Sequence, residues 1–129
     1  MATSTPGGGG QTNLGVAPNV AGLLCYVPCC VGLVFAIVAA IVEKQSRFVR
    51  FHAFQSLLLH GAEILFLIAL GIAGTVLSAV SGFMGLILFP LQLLMLVVIV
   101  GLAILLMIKA NAGEEYELPV IGKMARQWV

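Results

Sequence analysis

Charge is what this chain has least of. Only 9% of its 129 residues are Asp, Glu, Lys or Arg, against about 25% in an average soluble domain. Aspartate is missing altogether, so all five acids are glutamates. A water-soluble globule of this size would lack the polar side chains to cover its surface. No run of cations occurs that could follow a phosphate backbone, which leaves nucleic acid out of the expected partners. No glycine loop is followed by lysine, and neither H-E-x-x-H nor G-x-S-x-G is present, so no enzyme activity is expected. No basic residue precedes the first apolar stretch, as a cleavable signal peptide would require, and the N-terminal residues are expected to stay attached.

What fills the chain instead is hydrocarbon: 61% of the residues are hydrophobic and the mean hydropathy is +1.16. The expected fold is all-α, a polytopic membrane protein with three transmembrane helices and a short C-terminal interfacial amphipathic helix. Residues 1–18, with four consecutive glycines at positions 7–10, read as a disordered tail, and residues 19–129 as a single membrane domain. The spans lie at about 20–42, 54–77 and 86–108, each longer than the ~20 residues needed to cross a hydrocarbon core. Pro28 predicts a kink near Tyr26, or a separate approach turn over residues 19–27. Pro90 is expected in the first turn of the third span, where a missing N–H costs little. Asn111-Ala112-Gly113 supplies a helix stop. In the segment 118–129, Leu118, Ile121, Met124, Ala125 and Trp128 fall on one side of a helix and Lys123, Arg126 and Gln127 on the other.

Lys and Arg number zero before the first span, three after it, zero after the second and three after the third. Basic loops stay in the cytoplasm. A three-span chain in a bacterial inner membrane would then have its N-terminus outside and its C-terminus in the cytoplasm.

Within the apolar stretches few groups can carry chemistry. Cys25 and Cys29, four apart in one helix, offer either a soft-metal pair or small apolar filler. At 100° per residue, His52, Gln55, Ser56, His60 and Glu63 share an arc of about 140°. His60 and Glu63 read either as part of a proton path or as interhelical glue, bonded to each other or to Gln92. His52 or His60 is a conceivable axial ligand of haem or chlorophyll; no cofactor is otherwise expected.

Two stretches give the chain a resemblance: Phe48-Val49-Arg50-Phe51-His52-Ala53-Phe54-Gln55-Ser56, and Lys109-Ala110-Asn111-Ala112-Gly113-Glu114-Glu115-Tyr116-Glu117-Leu118-Pro119. They resemble the F-x-R-F-H-A-x-Q-S and K-A-x-x-G-x-x-Y-x-x-P signatures of a family of small bacterial membrane proteins of unknown function. That family is related to the magnetosome membrane protein MamF and distantly to the Tic-type import subunit of the chloroplast inner envelope. The resemblance implies an interface motif of Arg47, Arg50, His52, Gln55, Lys109, Asn111, Gly113, Tyr116 and Pro119. The expected role is a small accessory or structural membrane subunit that packs on other integral membrane proteins or on copies of itself. A proton, ion or peptide transport component using His60 and Glu63, and a pigment- or haem-binding subunit of a bioenergetic complex, are the alternatives.

Overall fold

The computed structural model describes residues 12–129, and among them the protein is all-α. Of the expected tail, residues 1–11 lie outside the described residues. Residues 12–17 form a turn that leads into α1, Pro18–Leu24, with proline at the start, where its missing N–H is no loss. α2, Cys30–Val42, follows after a break. α3, Arg47–Val80, and α4, Gly82–Asn111, are the two long helices, and α5, Ile121–Arg126, is short.

The first apolar stretch therefore does not form one span. α1 stops at Leu24, residues 25–29 turn, and Cys29 takes a left-handed φ of 72° before α2 begins. Pro28 has no N–H for the ladder, so the break falls where the chain is weakest. At 1.5 Å per residue the two pieces measure roughly 10 Å and 20 Å, too short for a core of about 30 Å.

The chain also reverses at that turn. The backbone N–H of Asn13 donates to Glu43 Oε2 at 2.8 Å, and the Lys44 N–H donates to Asn13 Oδ1 at 3.0 Å. The entry to α1 and the exit from α2 are thus side by side, and α1–α2 is a hairpin that enters and leaves at one end of the bundle. The Asn19 amide donates to the Asn111 carbonyl at the end of α4. Among the described residues two helices, α3 and α4, are long and apolar enough to cross a membrane, and the span expected over 20–42 is not one continuous helix. Asn13 and the C-terminal segment lie at the same end of the bundle, whereas a single first span over 20–42 would carry them to opposite ends.

Ser46 caps α3 by accepting from the Val49 N–H at 3.3 Å. A single extended residue, Ser81, separates α3 from α4, where a longer turn over 78–85 was expected. Because α4 starts at Gly82, Pro90 lies inside it instead of in its first turn. Gly113, with φ 78°, closes α4: its N–H donates to Ala110 and that of Glu114 to Lys109. The C-terminal helix covers six residues of the expected twelve, because Val120 takes a positive φ and keeps Leu118 and Pro119 out of it. Leu118, Gly122 and Ala125 are buried, whereas Met124 and Trp128 of the expected apolar side are exposed.

The core sits wholly at the hairpin end. Ala21, Cys25 and Tyr26 from the hairpin's first arm and turn meet Ala36 and Ala39 of α2, Phe48, Val49, Ala53 and Leu59 of α3, and Leu106 and Ala110 of α4. Beyond Leu59 in α3 and before Leu106 in α4 no residue is buried.

Candidate functional site

The buried end carries polar groups as well: Glu43, His52, Gln55 and Ser56 are all 0% exposed. Gln55 is two turns into α3 and reaches the segment after α4. Its Oε1 accepts from the Leu118 N–H at 3.1 Å, and its Nε2 donates to the Tyr116 carbonyl at 2.9 Å, so two backbone groups fix which way the amide points. Nε2 also donates to the Tyr26 hydroxyl at 2.9 Å. That hydroxyl has its own proton to place, and His52 Nδ1 lies 3.0 Å away. The proton goes to Nδ1, which makes His52 a neutral ring with its hydrogen on Nε2.

Aromatic rings close the site. His52 is met edge-on by Tyr26, Phe48 and Phe51 at centroid distances of 5.5, 4.5 and 5.2 Å. Gly22 lets α1 approach, since a Cβ there would stand 3.0 Å from Phe48 and 3.2 Å from His52. An axial nitrogen needs open space for a macrocycle, and the enclosed His52 offers none, so the residues here do not fit haem or chlorophyll. The other conceivable ligand, His60, has its Nδ1 held 2.8 Å from the Ser56 carbonyl.

Glu43 is the second anchor. Its two oxygens accept the backbone N–H groups of Asn13, Gln45 and Ser46, at 2.8, 2.8 and 2.9 Å, and so tie the start of the hairpin to the α2–α3 corner. Ser56 donates to the Cys25 carbonyl at 2.5 Å and pins the hairpin's turn to α3.

The expected interface residues divide accordingly. Tyr26 joins His52 to Gln55, and Gln55 in turn bonds the Tyr116 carbonyl. Asn111 uses its carbonyl on Asn19, and Gly113 ends α4. Lys109 pairs with Glu114 at 2.8 Å, outside the buried network. Arg50 donates to the Trp128 carbonyl at 3.1 Å and lies over Phe54, Arg47 is exposed at the start of α3, and Pro119 precedes α5. The C-terminal segment is held down further by Arg126, which pairs with Glu115 at 2.7 Å and with Glu117 and lies 4.6 Å over the Phe51 ring.

The intramembrane polar residues do not meet as expected. His60 reaches back one turn to Ser56 and bonds neither Glu63 nor Gln92, because the Ser56 hydroxyl, turned toward Cys25, leaves its oxygen and carbonyl open to the ring. Glu63 has no hydrogen-bond partner among the described residues. Gln92 faces Gly74 across a cleft of about 350 Å³ lined also by Gly71, Thr75, Ser78 and Gly85. Cys25 and Cys29 are not one turn apart on a helix: both lie in the break between α1 and α2, Cys25 buried with its thiol on the Ala21 carbonyl and Cys29 exposed just before α2. Among the described residues no group of three or more His, Cys or Glu could hold a metal ion.

Sequence reasoning missed Tyr26, Glu43 and Asn13. Tyr26 stood in an apolar run with Pro28 two residues on, which marked a break but not a partner.

A family model described as the magnetosome magnetite crystal formation protein family matches residues 11–125, a range that contains the hairpin, both long helices and most of α5. The chain belongs to the MamF/MmsF family. A UPF0132 membrane protein of Methanocaldococcus jannaschii is 36% identical over 121 residues, covering 92% of this chain and 94% of its own. A second from that organism is 34% identical over 116 residues, with 89% and 72% covered. One from Archaeoglobus fulgidus is 32% identical over 116 residues, with 86% and 94% covered. These relatives are archaeal, so proteins similar to this chain are not confined to bacteria. No solved structure matches the chain.

Proposed function

We propose that this member of the MamF/MmsF family is a small accessory subunit of a membrane assembly, held by its apolar surface against other integral membrane proteins. One observation carries the reading: after Leu59 and before Leu106 neither long helix buries a residue, so the fold completes one end of the bundle and leaves the rest of α3 and α4 with only each other. An apolar groove of about 440 Å³ along Val31, Val34, Phe35 and Val38 of α2 adds a second open flank. Glu63 supports the same reading, because a polar group at membrane depth is stabilised by a partner, and a neighbouring subunit can supply one.

The six cations flank the hairpin end, and the turn at Ser81 has none. By the positive-inside rule the hairpin end faces the cytoplasm and the Ser81 turn the opposite side. The family description adds a mineral-forming membrane as one setting for such a subunit. The archaeal relatives are named only as membrane proteins, so what they lend to the reading is the membrane setting.

Photo-crosslinkers at Leu65 and Val97, both exposed, followed by purification in mild detergent, test the proposal. The expected product is a stable complex with crosslinks to another integral membrane protein. A lone chain crosslinked to lipid alone would contradict it.

A further inference from the structure

The carboxylates near the membrane surface are already engaged. Glu43 takes three backbone N–H groups, Glu114 takes Lys109, and Glu115 and Glu117 take Arg126. That leaves Lys44, Arg47, Arg50 and Lys123 with no carboxylate partner among the described residues.

Two of these four cations are arranged as a site. Arg47 and Arg50 are three apart in the first turn of α3 and so lie on one side of it. Arg50 has a fork of five donors, of which one hydrogen bond is formed, to the neutral Trp128 carbonyl, and its buried Nε has no acceptor. The guanidinium carbon is 5.8 Å from the Phe54 centroid, and Trp128 meets Phe54 edge-on, with centroids also 5.8 Å apart. Trp128 is half exposed. An uncompensated guanidinium held against an aromatic floor asks for an oxyanion with an apolar body beside it.

We propose that Arg47 and Arg50, with Phe54 and Trp128 beside them, bind the phosphate headgroup of an anionic phospholipid. The place in the fold selects the lipid over a free ion. This pair stands at the start of a helix long enough to span the bilayer, where headgroups are always adjacent, and arginine with tryptophan is the side-chain pair suited to that depth. The phosphate accepts from the guanidinium groups, and the glycerol and first methylenes lie on the two rings.

The test uses the full chain in detergent, titrated with dioleoylphosphatidylglycerol or dioleoylphosphatidylcholine and read by native mass spectrometry. The native chain should prefer phosphatidylglycerol. Arg47→Gln, an exposed position, should weaken that binding about 5-fold, and the Arg47→Gln/Arg50→Gln double variant about 30-fold. A Lys44→Gln/Lys123→Gln variant of equal net charge should keep the preference. Equal binding of both lipids by the native chain, or an unchanged preference in the double arginine variant, would overturn the proposal. So would an equal loss in the lysine variant, which would mean diffuse surface charge. Displacement of bound lipid by millimolar inorganic phosphate would overturn the lipid assignment, because a free oxyanion would then suffice.

Discussion

Gln55 joins the hairpin turn, α3 and the C-terminal segment through one amide, and each of its bonds is directional. Replacing it by Ala leaves the Leu118 N–H, the Tyr116 carbonyl and the Tyr26 hydroxyl short of a partner at a site closed to water. A buried group left unmatched costs about 1–3 kcal/mol. Gln55→Ala should therefore lower the thermal midpoint of the purified protein. Gln55→Glu should lower it at least as far, since a carboxylate oxygen would then face the Tyr116 carbonyl. A midpoint unchanged in both variants would remove Gln55 from this role. The sequence marks His52 and Gln55 through the helical face they share and through the signature around them. It cannot mark Glu43, which reads as one more charge in a headgroup cluster. Its partners, the N–H groups of Asn13, Gln45 and Ser46, become a set only when the N-terminal residues fold back over a distance of thirty positions.

At the scale of elements, the two long helices follow from length and hydropathy alone, and so does the weak point at Pro28. The direction taken after that point does not. A kinked span and a reversed hairpin share the same apolar pattern, because both bury small residues and both turn apolar side chains toward lipid. What decides is close approach at the turn. A Cβ on Gly32 would run into the Val27 carbonyl oxygen, whereas one on Gly61 of α3 meets nothing within 4 Å. The two substitutions should differ in sign. Gly32→Ala forces a backbone shift costing about 1–3 kcal/mol, and Gly61→Ala should be neutral or should stabilise by up to about 1 kcal/mol through helix propensity. Thermal unfolding followed by circular dichroism in one detergent compares them directly. Equal effects would mean that the hairpin turn is not tight.

At the scale of the whole molecule, the distribution of charge explains why the topology was only half legible. The cations at 44–50 and at 109–126 fall on one side of the membrane in a three-span chain and in a hairpin with two spans alike. The two arrangements differ only in where the N-terminal residues lie, and those residues carry no charge to decide it. Contacts distinguish them in the fold: Asn13 lies on Glu43 and Lys44, and Asn19 on Asn111, at the end of the bundle that carries the cations. The same contacts explain why the polar network exists at all, since a hairpin entering from the clasped end brings Tyr26 to His52 and Gln55, while a first helix crossing the membrane from the far side would approach α3 from the other direction.

A hairpin of α1 and α2 and a first helix that crosses the membrane differ in the side on which residue 16 lies. Single cysteines at Val16, Ser81 and Gln127, each in a chain whose Cys25, Cys29 and Cys30 have been replaced, can be labelled in sealed, uniformly oriented vesicles with a charged thiol reagent that does not cross the bilayer. Cysteines at 16 and 127 should label from one side and a cysteine at 81 from the other. Labelling of 16 and 127 from opposite sides would contradict the hairpin and restore a first helix that crosses the membrane.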